Sequence, residues 1–120
     1  MITIFKTVSA SDNVKAFLGE NPVRFFPFGQ SATTTNTYST YQIIAGNPEN
    51  YITGAPDIDR YLVQIDVYAH QAADAQSAAL AIRDAIEPRA HVVSWRGNSR
   101  DDATQRYRCS FDVSWFESRD

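Results

Sequence analysis

The most constraining feature of the sequence is its cleanest alternation of apolar and polar residues, in the segment from Arg106 to Phe116. A period of two places alternate side chains on opposite faces of a β-strand. One row is Tyr107, Cys109, Phe111, Val113 and Trp115, and the other is Arg106, Arg108, Ser110, Asp112 and Ser114. The same pattern runs from Tyr61 to Ala69, where Val63, Ile65 and Val67 share a face. The sequence therefore predicts a sheet with one buried face and an opposite face that is solvated or contacts a partner.

A long helix is predicted between these two strands, from about Ala72 to Ile86. Its apolar residues follow helical spacing and form one stripe, namely Ala72, Ala75, Ala79, Ile82 and Ile86. The small alanine side chains allow a close approach to the sheet, and Pro88 ends the helix.

Two short helices are predicted at the N-terminus. The first presents Ile2, Phe5 and Val8 at helical spacing. The second is capped by Ser11 or Asp12 and carries Val14, Phe17 and Leu18. Gly19 ends it, because glycine tolerates the left-handed conformation that follows many helices.

Shorter strands complete the predicted sheet. Val23–Phe28 suits a sheet edge, because Pro27 cannot donate a ladder hydrogen bond. Tyr41–Ala45 is a strand that ends in a Gly46–Pro48 turn, with a brief extension at Tyr51 and Ile52. Val92–Arg96 is another strand.

Two connecting segments are predicted to be exposed. Gly29–Thr40 is rich in Ser, Thr and Asn and is predicted to be a mobile loop. Gly97–Thr104 is predicted to be a hairpin loop. The 120 residues are expected to form a single domain, 1–120, of the α+β class. It comprises a mainly antiparallel sheet of four to five strands, with helices packed on one face.

Charge argues against a dedicated nucleic-acid binder. The formal net charge is −3, whereas nucleic-acid-binding domains usually have a basic excess. Four arginines cluster near the last hairpin: Arg96, Arg100, Arg106 and Arg108. Tyr107 points away from Arg106 and Arg108, so no aromatic platform for bases is evident beside them. The cluster is interpreted as solvated or as a protein contact.

Catalytic and metal-binding signatures are missing from the sequence. His70 and His91 stand far apart without a metal-binding pattern around either, and no glycine-rich phosphate loop or GxSxG motif occurs. Cys109 lies on the inward row, where a thiol acts as a small apolar filler. No apolar run is long enough to span a membrane. We expect no catalytic residue, no metal, no cofactor and no membrane partner.

An aromatic cluster hints at a subunit contact. Phe25, Phe26 and Phe28 cannot all face inward from one strand, because neighbouring residues alternate between faces. One side must expose aromatic surface unless another element or another subunit covers it.

The order of three segments resembles the tail-completion (tail-terminator or tail-to-head joining) proteins of long-tailed bacteriophages. They are the strand at Tyr41–Gly46, the strand at Val63–Ala69, and the alanine-rich helix that ends in Ile82–Ile86. The resemblance covers most of the chain. It implies a structural virion protein, without catalysis, assembled in the host cytoplasm and located at the head-proximal end of the tail.

The resemblance further implies a ring, commonly of six subunits, that caps the tail tube, ends its polymerisation and offers a docking surface to the head. Its partners would be further copies of itself, the tail tube protein and head–tail connector proteins. Three segments are candidates for these contacts: Arg24–Phe28, Gln30–Thr40 and Arg96–Asp102. The candidate interface residues are Arg24, Phe26, Phe28, Gln30, Thr33, Thr35, Asn36, Arg96, Arg100 and Asp101.

Two further expectations concern DNA and competing functions. DNA is expected to pass through the ring without specific binding, because acidic residues lining the channel would weaken phosphate contacts. One alternative is a head-side connector or neck protein of similar fold. Another is a small α+β ligand-binding or enzymatic domain, which requires a titratable group pointing into the core.

Overall fold

A computed structural model describes residues 2–20, 22–29, 36–48, 58–103 and 105–118. They form three helices and five strands: α1 (Ile4–Ser9), α2 (Asp12–Leu18), β1 (Phe25–Pro27), β2 (Tyr38–Pro48), β3 (Ile58–Ala69), α3 (Ala72–Ile86), β4 (Ala90–Asp101) and β5 (Arg106–Ser118). The strands make one sheet in the order β1-β2-β3-β5-β4. Only the β1–β2 pair is parallel among these strands. The predicted α+β class and the mainly antiparallel sheet are confirmed.

The two alternating strands lie at the centre of the sheet and supply the core. Val63, Ile65 and Val67 of β3 are fully buried, and so are Phe111 and Trp115 of β5. They belong to one apolar cluster with buried residues from all three helices, so the helices cover this inner face. The strand alternation therefore predicted the buried face correctly.

Helix α3 has the predicted bounds but a wider buried face than predicted. Ala72 is exposed, whereas Ala78 and Ala81 are buried alongside the predicted stripe. The reason is that α1 and α2 pack against α3 in addition to the sheet. Because α3 contacts the sheet on one side and the other helices on another, Ala78 and Ala81 are buried although they lie outside the predicted apolar stripe.

The second N-terminal helix, α2, has its predicted caps. The Ser11 hydroxyl accepts a hydrogen bond from the Val14 N–H at 3.3 Å, and Gly19 follows α2 with a φ of +72°. Helix α1 begins at Ile4, so Ile4 and Val8, which are four positions apart, form its inner face. The predicted inner position of Phe5 is wrong, because this side chain is 40% exposed.

Strand β2 is longer than predicted at both ends. The predicted loop is wrong at Tyr38–Thr40, because Ser39 is fully buried and bonded on both sides of β2. Its N–H donates to the Arg24 carbonyl at 2.9 Å, and its hydroxyl donates to the Asp66 carbonyl at 2.8 Å. These hydrogen bonds to residues in or beside the neighbouring strands make a strand of Tyr38–Thr40, although the polar composition of this segment favours a loop.

The predicted turn at Gly46–Pro48 is also wrong, because these residues pair with Tyr61, Arg60 and Asp59 of β3. Within the described residues β1 reaches only as far as Tyr41, so Pro48 interrupts no ladder on the β1 side. The predicted extension at Tyr51 and Ile52 lies outside the described residues.

Strand β4 also continues beyond its predicted end. Gly97 has a φ of +83° and pairs with Ser110 just after a bulge, so it bends the strand without ending it. β4 runs to Asp101, and the predicted hairpin loop is therefore wrong at Gly97–Asp101.

The outer face of the sheet is more buried than predicted. Ser110, Asp112 and Ser114 of β5 are at most 7% exposed, although they point away from the core. The Ser110 hydroxyl donates to the Asp66 carboxylate, and the Arg96 guanidinium donates to Asp112 at 2.8 Å. Long side chains of neighbouring strands therefore cover the centre of this face, and its predicted solvation is wrong there.

Candidate functional site

The described interface candidates fall into groups at opposite edges of the sheet. Arg24, Phe26 and Phe28 lie in or beside β1, whereas Arg96, Arg100 and Asp101 lie on β4. Asn36 is exposed two residues before β2 begins. Gln30, Thr33 and Thr35 lie outside the described residues. The candidate site thus comprises two different surfaces on the same molecule.

The edge at β1 is apolar and exposed. Phe28 is 68% exposed, and Phe5 and Ile43 are about 40% exposed. We call these three residues the β1 patch. Phe28 and Ile43 line a groove of about 390 Å³ together with Ile2, Pro27, Tyr41 and Gln42. A second groove, on which Phe5 lies, adjoins it along Pro27 and Tyr41. The prediction that the phenylalanine cluster exposes aromatic surface is confirmed.

Arg24 is engaged inside the molecule. Its Nε donates to the Thr37 carbonyl at 2.8 Å, and its Nη2 donates to the Phe17 carbonyl at 3.2 Å. It therefore ties the end of α2 to the start of β2. A side chain on Gly19 would collide with this guanidinium. Arg24 consequently stabilises the β1 edge through contacts inside the molecule. Its predicted contact with a partner stays a prediction.

Phe26 joins a cluster of aromatic and arginine side chains on the outer face. Its ring lies 6.5 Å from that of Tyr38, which stacks on Tyr68 at 4.9 Å. The Arg106 guanidinium lies 5.2 Å from the Tyr38 ring. Burial raises the pKa of Tyr38, and Asp101 adds to this effect while Arg106 opposes it. The arginines near the last hairpin thus do have aromatic neighbours, namely Tyr38 of β2 for Arg106 and Tyr107 of β5 for Arg100.

The charged candidates on β4 have intramolecular partners. Arg96 pairs with Asp112, and Arg100 lies 5.1 Å from the Tyr107 ring while donating to Gln105 Oε1 at 3.2 Å. The Asp101 carboxylate accepts a hydrogen bond from the Ala103 N–H at 3.3 Å. These contacts fix the charges in place at the edge. Their predicted role in setting the register of a partner stays a prediction.

Both edges of the sheet expose apolar residues that sequence reasoning did not select. Ile44 on β2 is 40% exposed, and Val93 and Trp95 on β4 are 50% and 39% exposed. Ile44 and Val93 lie at irregularities where one strand has an extra residue. The doublets Ile43-Ile44 and Val92-Val93 break the alternation, and that is the signal from which these bulges were predictable.

A second feature that the sequence did not indicate is a contact between Thr3 and Glu117, which are 114 residues apart in the chain. The Glu117 Oε1 accepts from the Thr3 N–H at 2.6 Å and from Trp115 Nε1 at 3.1 Å, and Oε2 lies 3.6 Å from Arg89 Nη2. Burial alone raises the pKa of this carboxyl, but the bonds from Trp115 and Thr3 and the charge of Arg89 outweigh it and lower the pKa. We call these four residues the Glu117 clamp.

Reactive groups do not gather in the described part of the chain. No three His, Cys, Asp or Glu side chains there are grouped so as to hold a metal ion. Cys109 is fully buried, and burial raises the pKa of its thiol. Among the same residues, no helix combines the length and the apolar character needed to span a membrane.

Comparison with known proteins decides the family. Residues 3–118 match the family model described as Tail completion protein gp17. The chain belongs to the tail completion protein family. No curated protein matches the sequence. Among solved structures, a chain in the virion of a native gene transfer agent (GTA) particle has the same fold, with a TM-score of 0.68 and 14% sequence identity. The match covers 94% of this chain and 90% of that chain.

Membership of the tail completion family settles the broad class of the protein. The family consists of structural phage tail proteins and not of enzymes, so the alternative of a small enzymatic domain is removed. The chain is therefore a structural phage tail protein. Its function therefore depends on surfaces that contact other proteins and not on a reactive centre.

Proposed function

We propose that this tail completion protein forms a ring, of six subunits by the resemblance, that caps the tail tube. The ring ends polymerisation of the tube and presents the surface on which the DNA-filled head docks. The tail tube protein, the head–tail connector proteins and further copies of the chain are its partners. Its position is the head-proximal end of the tail.

The observation that carries this proposal is the β1 patch. A phenylalanine that is 68% exposed beside a half-exposed isoleucine, in an apolar groove, is costly for a free monomer, because apolar surface in contact with water is unfavourable. Coverage by a second protein removes that cost. Within a family of virion structural proteins, the covering surface is another subunit of the assembly.

Ring closure requires two different surfaces on each subunit, because a head-to-tail interface joins one surface to the other and closes by rotation. The β1 edge and the β4 edge meet this requirement, since they differ in sequence and lie at opposite ends of the strand order. The interface candidates at the two edges would then face each other between neighbouring subunits.

DNA passage through the ring requires weak attraction to phosphate. The outer face of the sheet contains arginines, and the charge of Arg96 among them is balanced by Asp112. Together with a net charge of −3 for each chain, this pairing supports passage of DNA without specific binding.

The direct test is complementation of tails that lack their terminator. Purified protein is added to such tails, and tail length and head attachment are measured by electron microscopy. We expect tails of uniform length that join heads. Tails that overgrow and stay without heads would contradict the proposal. Uniform tails that bind no head would contradict only the head-docking part of the proposal, whereas binding of the protein to heads alone would indicate a head-side connector.

The β1 patch has its own variant in the same assay. Phe28→Ser removes apolar area at a residue that is 68% exposed, so the fold is expected to persist while capping falls by at least tenfold in the protein concentration required. Phe28→Leu, which keeps most of the apolar area, is the matched control and is expected to cap normally. Equal capping by the serine variant would remove the β1 patch from the interface.

A further inference from the structure

Two segments of the sheet edge lack the charged residues and prolines that protect many natural sheet edges from edge-to-edge pairing. Short length and β-bulges also protect edges, and each segment contains one bulged residue, Ile44 or Val93. Residues 43–47 of β2 (IIAGN) and residues 91–95 of β4 (HVVSW) contain no Asp, Glu, Lys, Arg or Pro. Protection begins directly beyond them, at Pro48 on β2 and at Arg96 on β4.

Both segments are open on their outer side. β1 pairs with β2 only at residues 39–41, and β4 is the last strand of the sheet. Within the described residues, no strand therefore pairs with residues 43–47 on the β1 side or with the outer side of β4. Their backbone groups on those sides are available to a further strand.

The two segments also lie at the same height of the sheet. One row of paired residues crosses four strands, from Ile43 through Val63 and Val113 to Val92. The bulged residues Ile44 and Val93 directly follow the two ends of this row. Exposed apolar side chains thus mark the two edges at one level.

Strand direction is suited to a head-to-tail contact. β2 and β5 are both antiparallel to β3, and β4 is antiparallel to β5, so β4 runs opposite to β2. A copy rotated about an axis along the strands therefore presents its β4 antiparallel to the β2 of its neighbour. Antiparallel pairing needs no reversal of the subunit, so the same contact repeats around a ring.

We infer that residues 91–94 of β4 in one subunit pair with residues 43–46 of β2 in the next, with Val93 opposite Ile44, so that the sheets of neighbouring copies form one continuous sheet. The occupant of each open edge is a second copy of this chain. This inference rests on the proposed ring, and it specifies which strands meet and in which direction.

Cysteine pairs test this contact directly. In one subunit, positions 44 and 93 are separated by three strand spacings, or about 14 Å, which exceeds the Cα separation of about 7 Å that a disulfide allows. A disulfide between them must therefore join two copies. Cys109 is fully buried, so it does not interfere. The double variant Ile44→Cys/Val93→Cys is oxidised with copper phenanthroline, both in concentrated solution and after addition to terminator-less tails.

We expect a ladder of covalent oligomers on a denaturing gel from this variant. The matched control, Ile44→Cys/Ser99→Cys, places the second thiol on the same strand but outside the proposed contact, and we expect monomers. Absence of the ladder in both settings, or an equal ladder from the control, would overturn the inference. If the Ile44→Cys/Val93→Cys variant caps tails as well as the wild type but forms no 44–93 disulfide, the edge contact is contradicted and the proposed function is not. A 44–93 ladder from a protein that does not cap tails would support the edge contact while contradicting the capping role.

Discussion

At the scale of single residues, the most informative contacts are those that join distant parts of the chain. Glu117 accepts hydrogen bonds from Trp115 and from the backbone of Thr3, and it pairs with Arg89. Its side chain is only 13% exposed, so these bonds act in a poorly solvated environment. The Glu117 clamp holds the start of α1 against the end of β5 and therefore helps to position α1, which contributes Phe5 to the β1 patch.

Substitution of Glu117 tests this role. Glu117→Gln keeps the shape but removes the charge, and we expect the free energy of unfolding to fall by about 1–3 kcal/mol at pH 7. Chemical denaturation measures the change. Glu20→Gln is the matched control, because Glu20 is 63% exposed and its ion pair with Lys15 is long, with 3.9 Å between Oε2 and Nζ. Its effect is expected to stay below about 0.5 kcal/mol. Equal effects of the two substitutions would argue against the clamp.

The same substitution gives a pH dependence with a defined sign. The fold lowers the pKa of Glu117, so the unfolded chain binds more protons and stability rises with pH through this window. The contribution is complete above the unfolded pKa of about 4.3 and is lost as the pH falls through the lower folded pKa. We expect the difference between wild type and Glu117→Gln to be constant from pH 5 to pH 7 and to shrink below about pH 4. A difference that grows on acidification would contradict the assigned direction of the shift.

At the scale of elements, the bulges determine what the edges present. The bulge before Gly97 lets Arg96 reach Asp112 while the strand continues to Asp101. The φ of +83° at Gly97 is a conformation that other residues adopt only with strain. The glycine therefore lengthens β4 beyond the point at which a turn was predicted.

Gly97→Ala tests this element. A Cβ there meets no atom within 4 Å, so the expected loss of about 1–2 kcal/mol in unfolding free energy comes from backbone strain alone. Thermal and chemical denaturation measure the loss. Ser99→Ala, two residues further along the same exposed strand, is the control, with an expected change below about 0.5 kcal/mol. An unaltered Gly97→Ala variant would show that the strained conformation is not required.

Sequence predicted those elements in which hydrophobic periodicity and burial coincide. The inner rows of β3 and β5 and the bounds of α3 follow from periods of 2 and 3.6, because each of them packs against the core. The ends of β2 and β4 did not follow. Ser39 and Gly46 are turn-forming residues by composition, and only pairing with β3 makes them strand residues.

The candidate site was predictable in part for a similar reason. Phe28 was found because three phenylalanines in four positions cannot share one strand face. Which edges Arg96 and Phe28 occupy depends on the strand order, which no local pattern specifies. The Glu117 clamp joins residues at opposite ends of the sequence, so no spacing could have indicated it.

At the scale of the whole molecule, the sheet formed by the five described strands has two unlike open edges, and this asymmetry determines how copies can associate. An isologous interface uses one surface twice and stops at a dimer, whereas a heterologous interface uses two surfaces and continues until a ring closes. The exposed apolar residues at both edges, Ile44 on β2 and Val93 on β4, favour the second arrangement. The difference is testable without a structure of the assembly.

Two complementary variants separate these arrangements. Ile44→Lys blocks the β2 edge and Val93→Lys blocks the β4 edge, because a lysine opposes strand pairing and both positions are at least 40% exposed. Each variant alone is expected to be a folded monomer at concentrations where the wild type assembles. An equimolar mixture is expected to form heterodimers and no larger species, since only one good edge remains on each partner.

Native mass spectrometry distinguishes these species, and Ile44→Val and Val93→Ile are the controls that should assemble normally. Dimers formed by either lysine variant alone would indicate an isologous contact, and rings restored in the mixture would show that neither edge is needed for closure.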